Sequence, residues 1–460
     1  MARRHTTLTR IAQALRPDPS RFAAAAALQD PSLLMEAQAQ EERVERTPRF
    51  TALRGALRAE SGGALLLVAA IALALLWSNA PGGGSYDAFW HAPVALTVGP
   101  WTLAADLRTW IDEGLMTLFF LVVGLEAKRE RDLGELREGR RLTVPVLAAL
   151  GGMAASVGIY VAVTAGAGGT GSGGWGVALS TDTALALGAL TFTAGRYGKR
   201  LQIFMLTLLV VDDFVALLVI SVAYPSRIDV AATIVAAALL AALLTMRAIA
   251  GRQFRARGNS ASTLWVLSIV AGLGLWLALF ESGIDPVISG LLIGLLTNAY
   301  EPEGRVEAVI SPNQRLLTRL HPWTSKLVVP LFALANAGLH IDRQLLARAA
   351  TSPVTWGIVL AYVIGKPLGI VVAAWAAKSS APRHAALSLG WGELGGTALA
   401  AGVGFTVSLL IASRAFGGEL LDEAKVGIFL TALLAPALSL LALNARRPRL
   451  AGCLSPVPAR

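Results

Sequence analysis

Residues 201–224 read LQIFMLTLLVVDDFVALLVISVAY, an apolar run with two adjacent aspartates, Asp212 and Asp213, at its centre. A helix needs about 20 apolar residues to cross the hydrocarbon core of a bilayer, so this run is long enough to do so. A charged side chain at the centre of such a helix costs about 2.5–3.5 kcal/mol. The two carboxylates therefore indicate a functional site inside a membrane-spanning helix.

The composition of the whole chain supports a membrane protein. Of its 460 residues, 55% are hydrophobic and 15% are charged, whereas soluble domains carry about 25% charged residues. The single cysteine, Cys453, excludes a disulfide within the chain and a cysteine-based metal site, and the five histidines are too few and too scattered for a histidine cluster. We therefore predict no cofactor. The net charge of +10 is explained by basic cytoplasmic loops, and without a basic soluble module we predict no nucleic-acid partner.

The apolar runs predict an all-α polytopic membrane protein with twelve transmembrane helices. Lys and Arg concentrate in alternate loops, which by the positive-inside rule places both termini in the cytoplasm. We predict a partly disordered cytoplasmic tail over 1–55, a membrane domain over 56–446 and a second cytoplasmic tail over 447–460. The predicted spans are 62–79, 111–127, 142–164, 174–194, 201–224, 228–246, 262–280, 284–300, 324–341, 353–377, 386–413 and 425–444.

The connection between the first two spans contains two short β-prone stretches, 94–98 and 101–103, around Gly99-Pro100. This pattern is typical of a hairpin. An irregular loop is the alternative, and the sequence does not decide between them.

Two further charges lie at mid-span, namely Asp182 in predicted span 4 and Lys366 in predicted span 10. Together with Asp212 and Asp213 they would cost on the order of 10 kcal/mol unless they pair, take up protons or meet water. Adjacent helical residues point about 100° apart. We therefore expect one aspartate of the pair to bind Lys366 and the other to face a cavity with Asp182.

Carboxylate and hydroxyl oxygens suit a small hard cation such as Na⁺, and Ser180 and Thr181 add hydroxyls beside Asp182. Burial disfavours the charged form of a carboxyl group, so protons compete with the cation for the same oxygens. A site that holds Na⁺ or protons, but not both, is the physical basis of an antiporter.

Predicted spans 4 and 11 are rich in glycine and threonine, which suggests interrupted helices at an ion site. Close packing through small residues is the alternative, and for span 11 it is equally well supported. Interrupted helices expose the ends of half-helix dipoles. In that case Asp182 would offset the positive ends and Lys366 the negative ends.

Seven segments of the chain, taken in order, resemble the NhaA sodium/proton antiporters, and the resemblance covers about 60–445. The segments are Gly124-Leu-Glu-Ala-Lys-Arg-Glu130, Ser180-Thr-Asp-Thr-Ala-Leu-Ala-Leu-Gly188, Val211-Asp-Asp213, His321-Pro-Trp323, Pro330-Leu-Phe-Ala-Leu-Ala-Asn-Ala-Gly338, Gly365-Lys-Pro-Leu-Gly369 and Gly404-Phe-Thr-Val-Ser408.

The resemblance implies an inverted-repeat transporter of the bacterial plasma membrane, and not an enzyme. It implies electrogenic exchange of internal Na⁺, and of Li⁺ with it, for a larger number of external protons, in pH and sodium homeostasis. Asp213 would be the principal Na⁺ ligand and proton carrier, and Asp212 the partner of Lys366. Thr181 and Asp182 would lie at the crossing of the unwound chains. The hairpin between spans 1 and 2 would form a homodimer contact.

Some positions depart from the family pattern. Ser180 stands where alanine is usual, Phe214-Val215-Ala216 replaces Leu-Gly-Ala, and Asp285 replaces a histidine. The stretch 315–320 reads Arg-Leu-Leu-Thr-Arg-Leu, where relatives carry Glu-His. Groups linked to pH sensing are therefore partly missing, and we expect a shifted or flattened pH-activation profile.

Three glutamates lie outside the predicted ion site. Glu126 and Glu130 match residues linked to the cytoplasmic entry funnel and to the pH response, but simple interfacial charge beside Lys128 and Arg129 is the favoured interpretation. Glu393 has no counterpart in the family pattern, and a place at the cytoplasmic mouth is the simplest interpretation.

Three other functions need features that the sequence does not favour. A Na⁺-coupled symporter of an organic solute would need solute-binding groups, and a channel would need filter loops or charged rings. An intramembrane enzyme would need a carboxylate dyad, for which Asp182 with Asp213 is geometrically possible. The sequence favours a cation/proton antiporter over all three.

Overall fold

The computed structural model describes residues 61–81, 84–98, 101–133, 139–194, 199–225, 228–257, 261–297, 311–380 and 390–445. The predicted tails, 1–55 and 447–460, lie outside the described residues. All the described residues belong to one compact unit of the chain.

This part of the chain is predominantly helical. The first helices are α1 (Ser61–Ser78), α2 (Gly84–Trp90), α3 (Met116–Leu133), α4 (Gly139–Gly166), α5 (Thr183–Ala194), α6 (Lys199–Ala223), α7 (Val230–Arg257), α8 (Ala261–Ser282) and α9 (Val287–Leu296). They are followed by α10 (Pro312–Trp323), α11 (Val329–Asn336), α12 (Arg343–Thr351), α13 (Pro353–Leu360), α14 (Lys366–Ser380), α15 (Trp391–Ala400), α16 (Thr406–Ala415) and α17 (Glu419–Ala445).

Within the described ranges, three π-helical turns lead into helices or connect them. Trp110–Leu115 leads into α3, Thr324–Val328 joins α10 to α11, and Ala361–Gly365 joins α13 to α14. A π-turn inserts an extra residue and is often found at functional sites. The third of these turns directly precedes Lys366, so it sets the direction in which that side chain leaves the helix.

Among the described residues, five stretches of helix are long and apolar enough to cross a membrane: Thr143–Gly166, Phe204–Ala223, Val230–Ala248, Pro353–Ser379 and Glu419–Leu443. Several large apolar side chains on these and neighbouring helices are exposed, including Val222, Ile234, Leu273 and Leu433. Exposed apolar surface on this scale marks an interaction surface. The helices and their outward apolar faces indicate a multi-pass membrane protein, and the number of twelve spans stays a prediction.

The hairpin alternative for the first connection is confirmed. Strand β1 (Pro93–Val98) pairs antiparallel with strand β2 (Trp101–Asp106), with Leu96 opposite Leu103. Asp106 then caps the next helical turn by accepting a hydrogen bond from the Thr109 N–H. The described residues therefore include one small sheet, which the all-α prediction did not count.

Helix α6 carries Asp212 and Asp213, and α4, α5 and α15 all contact it. Helix α4 also packs closely along α14, and at this contact a Cβ atom on Gly369 would overlap the Gly151 carbonyl oxygen. Only glycine allows the two backbones to approach this closely. The tight α4–α14 contact fixes the helix that carries Lys366 next to a helix that packs on α6.

Two connections near α6 are not helical. Residues 179–182 separate a 3₁₀ helix, Ser172–Ala178, from α5, and residues 401–405 separate α15 from α16. The two non-helical segments meet where the Asp182 N–H donates to the Val403 carbonyl at 2.7 Å. Their backbone groups lack helical partners, and the candidate site is built from the side chains that supply those partners.

Candidate ion-binding site

Asp212 and Asp213 lie at the middle of α6 and are almost fully buried, with 0% and 3% of each residue exposed. Because successive helical residues diverge, their carboxylates have different partners. Asp212 Oδ2 lies 2.8 Å from Lys366 Nζ, and Asp213 Oδ1 accepts a hydrogen bond of 2.9 Å from the Ser180 hydroxyl. The adjacent aspartates therefore form two separate sites of contact.

Lys366 is fully buried and begins α14. Its ammonium group binds Asp212 and also donates to the Leu179 carbonyl at 2.5 Å. That carbonyl belongs to the end of the 3₁₀ helix, where the helix dipole is negative. Lys366 thus neutralises a buried carboxylate and a helix C-terminus together.

Asp182 caps two helices with one carboxylate. Its Oδ1 accepts from the Leu185 N–H of α5 at 2.9 Å. Its Oδ2 accepts from both the N–H and the hydroxyl of Thr406, at 3.2 and 2.8 Å, at the start of α16. Carboxylates favour helix N-termini because the free N–H groups and the dipole are positive there. Both Asp182 oxygens are thereby engaged by protein donors.

Thr181 links the ion pair to the second non-helical segment. Its hydroxyl oxygen lies 2.8 Å from Asp212 Oδ2 and 2.7 Å from the Ala401 carbonyl oxygen. A hydroxyl has one proton to donate, so these two acceptors share it. Thr181 therefore contacts Asp212, while its neighbour Ser180 contacts Asp213.

The structure thus brings all five predicted site residues, Asp182, Thr181, Asp212, Asp213 and Lys366, to one buried place. In the present arrangement two carboxylate groups have spare capacity. Among the described residues, Asp212 Oδ1 is buried without a hydrogen-bond partner, and the Asp213 carboxylate accepts a hydrogen bond only from Ser180. A cation or a proton could bind these oxygens.

Sequence reasoning missed Tyr362. The side chain is fully buried, its ring centroid lies 5.6 Å from Lys366 Nζ, and its hydroxyl contacts the non-helical region. Its spacing of four residues from Lys366 was the available signal, since residues four apart share a helix face. The spacing alone did not single it out.

Other predicted residues lie away from this centre. Glu126 Oε1 is 3.8 Å from His321 Nε2, in a half-exposed pair. Glu393 accepts a hydrogen bond of 3.0 Å from the Gly390 N–H and so caps the start of α15. Lys128 binds Asp132 one turn later in α3. None of these contacts reaches the buried aspartates.

Asp285 takes part in a second charged cluster. Arg414, at the end of α16, lies 2.5 Å from Glu113 Oε1 and 3.7 Å from Asp285 Oδ2. Asp285 also accepts from the Val287 N–H at the start of α9. The aspartate that departs from the family pattern therefore has a basic partner in this chain.

Comparison with known proteins identifies one family. The family model described as Na+/H+ antiporter 1 matches residues 54–443. The chain is 43% identical over 404 residues to Na(+)/H(+) antiporter NhaA 1 of Salinispora arenicola (strain CNS-205), an alignment that covers 82% of this chain and 60% of that protein. It is 42% identical over 415 residues to NhaA 3 of Salinispora tropica, covering 83% of this chain and 61% of the relative.

The chain therefore spans about three fifths of the length of these two relatives. A shorter relative is matched more fully: Na(+)/H(+) antiporter NhaA of Acidovorax sp. (strain JS42) is 38% identical over 397 residues, which cover 85% of this chain and 92% of that protein. The family match and the alignment with the Acidovorax protein together show that the chain belongs to the Na⁺/H⁺ antiporter 1 family.

Proposed function

We propose that this chain is a secondary active transporter that extrudes Na⁺ in exchange for external protons. The observation that carries the proposal is the unequal environment of the aspartate pair. Asp212 has a buried ammonium partner 2.8 Å away, whereas Asp213 has only the Ser180 hydroxyl among the described residues. A buried carboxylate without a protein cation is stabilised by binding a proton or an external cation.

Exchange follows from competition at Asp213. Its ionised carboxylate binds Na⁺ through oxygen, and its protonated form is a poor cation ligand. Loading a proton on one side of the membrane and Na⁺ on the other therefore couples the two fluxes. Asp182 and Thr181 would add oxygens to Na⁺ after the hydrogen bonds that now engage them rearrange, and Asp212 Oδ1 supports the same role because it has no described partner.

The Lys366–Asp212 pair supports an exchange that moves net charge. Lys366 and Asp212 are two further buried ionisable groups close to Asp213. Proton uptake or release by this pair can therefore accompany the proton exchange at Asp213. We propose more than one proton per Na⁺, with Li⁺ accepted as well, in sodium and pH homeostasis. If exchange by proteoliposomes is unaffected by an imposed membrane potential, the electrogenic part of the proposal is wrong.

The architecture is proposed to be an inverted repeat of twelve spans with interrupted spans 4 and 11, in the bacterial plasma membrane with both termini cytoplasmic. The non-helical segments around Asp182 and Val403 support the interruptions, because each is flanked by helical elements. Cysteine labelling of engineered loop positions from either side of the membrane tests the topology. Labelling of adjacent loops from the same side would contradict it.

The hairpin is proposed to join two copies of the chain. Val94 and Leu96 on β1 are exposed, and a two-stranded hairpin is marginal by itself and leaves open edges that can pair. Deleting residues 94–104 and measuring the mass of the detergent-solubilised protein tests this proposal. A deletion variant that keeps the dimer mass would contradict it.

The central test is Na⁺-driven proton movement in everted membrane vesicles carrying the wild type or Asp213→Asn. We expect the variant to fall to the background of vesicles without the protein, because an amide neither ionises nor exchanges a proton. Asp87→Asn is a matched control, since the Asp87 side chain is 71% exposed and lies far along the chain from α6. Normal exchange by Asp213→Asn would refute the assignment.

A further inference from the structure

Tyr362 holds the non-helical region through its phenol group. Its hydroxyl oxygen lies 2.7 Å from the Val177 carbonyl, 2.7 Å from the Ser180 carbonyl and 2.6 Å from the Ser408 hydroxyl. The residue is fully buried within the π-turn that precedes Lys366. It therefore contacts the segment that leads to α5 and the first turn of α16.

The direction of these hydrogen bonds is fixed by chemistry. Carbonyl oxygens only accept, so the single phenol proton of Tyr362 is shared between Val177 and Ser180. The phenol oxygen remains free to accept, and the Ser408 hydroxyl of α16 donates to it. The hydrogen bonds therefore run in one direction, from the Ser408 hydroxyl to the Tyr362 phenol, and from the phenol to the Val177 and Ser180 carbonyls.

Ser180 connects these hydrogen bonds to Asp213. Its carbonyl accepts from Tyr362, and its hydroxyl donates to Asp213 Oδ1 at 2.9 Å. The preceding carbonyl, that of Leu179, is held by Lys366. Two side chains four residues apart on one helix thus hold consecutive carbonyls and fix the backbone from which the Ser180 hydroxyl projects.

The second non-helical segment is fitted to the same ring. A Cβ atom on Gly404 would overlap the ring and hydroxyl of Tyr362. Residue 404 therefore has to be glycine while tyrosine occupies position 362. The ring packs against this segment and its hydroxyl bonds the other, so its place is determined by packing as well as by hydrogen bonds.

We propose that Tyr362 is a positioning residue for cation binding, and that it acts by holding Ser180 against Asp213. This inference rests on the proposed function, because it assigns Asp213 as the carboxylate that binds Na⁺. Tyr362 itself does not touch the cation. Its effect is on how well the site is formed before the cation arrives, and hence on affinity more than on the rate of transport.

The test compares Tyr362→Phe, Ser180→Ala and the double variant in purified, reconstituted protein. We expect Tyr362→Phe to raise the KM for Na⁺ about tenfold, equivalent to ~1.4 kcal/mol or about one hydrogen bond, with a smaller change in maximal rate. Na⁺ should also protect the variant less against thermal unfolding at the same concentration. A lower maximal rate with an unchanged KM in folded, reconstituted Tyr362→Phe would indicate a merely structural role and would overturn the inference.

The double variant tests the route through Ser180. If Tyr362 acts through that residue, adding Tyr362→Phe to Ser180→Ala should change KM by less than about twofold. Independent, multiplying effects would overturn the inference, as would a wild-type KM in Tyr362→Phe. If Tyr362→Phe does not fold, Ser408→Ala replaces it, since loss of the hydroxyl that donates to the phenol should raise KM in the same direction. An unchanged KM there overturns the inference.

The outcome also separates this inference from the proposed function. If Asp213→Asn is inactive and Tyr362→Phe has normal Na⁺ affinity, only the role of Tyr362 is wrong. If Asp213→Asn transports normally, the proposed function fails whatever Tyr362→Phe does.

Discussion

Removing Lys366 should damage the protein far more than removing Lys366 and the Asp212 charge together. In Lys366→Ala, Asp212 loses its ammonium partner and the Leu179 carbonyl loses its donor, both in a fully buried place. Removing one partner of a buried pair costs about 3–5 kcal/mol, and an unsatisfied carbonyl adds about 1–3 kcal/mol. Proton uptake by Asp212 relieves part of the first cost, so we expect a net loss of about 3–6 kcal/mol.

The double variant Asp212→Asn/Lys366→Ala should recover about half of that loss or more. The asparagine is neutral, and it retains an oxygen that can accept from Thr181. Replacing both members of a buried pair is often close to neutral. The Leu179 carbonyl loses the lysine donor in both variants, which limits the recovery.

The assay is unfolding in detergent, monitored by tryptophan fluorescence, for the wild type, both single variants and the double variant. The double-mutant cycle gives the coupling between the two residues. A double variant less stable than Lys366→Ala would refute the reasoning, because it would show that Asp212 is not the group destabilised by loss of the lysine. We further expect this double variant to retain slow exchange that has become insensitive to membrane potential.

Arg414→Leu should lower stability by about 1–3 kcal/mol, between the costs for exposed and buried pairs, since it leaves Glu113 and Asp285 without their shared partner. Adding Glu113→Gln should restore part of it, and equal stability of Arg414→Leu and wild type in thermal unfolding would argue against the cluster. If protons and Na⁺ compete at Asp213 as proposed, the KM for Na⁺ in transport assays should rise as pH falls while the maximal rate changes less. A KM that is constant from mildly acidic to alkaline pH would show that they do not.

The residues of the candidate site could be proposed from the sequence because charged side chains are rare and costly inside membrane-spanning helices. Asp212, Asp213 and Lys366 interrupt long apolar runs, and the cost of burying charge at mid-membrane implies that each has a specific role there. The same reasoning located α4, α6 and α7, although α7 extends well beyond the predicted end of its span. Hydrophobic periodicity and length are local properties, so one sequence is sufficient to reveal them.

The contacts between the residues of the candidate site were harder to predict from the sequence. The sequence suggested that Asp182 would share a cavity with one aspartate of the pair, but both of its oxygens are engaged by Leu185 and Thr406 at two helix N-termini. That outcome depends on where α16 begins, and Gly404 to Ser408 alone do not specify it. The proposed role of Tyr362 was not predicted for the same reason. Which carbonyls lie outside a helix and need a donor depends on backbone geometry, and residue types alone do not show it.

The three consecutive residues Ser180, Thr181 and Asp182 explain why the connection to α5 is not helical. Their side chains contact Asp213, Asp212 and Thr406 respectively, while Asp182 also bonds Val403 through its backbone. In a helix, three successive side chains would fan over about 200°, and the backbone N–H of Asp182 would be committed to its own helix. The non-helical segment frees that N–H to bind Val403, and its three side chains contact α6 and α16. Three consecutive residues of one short segment therefore connect Asp213, the ion pair and the start of α16.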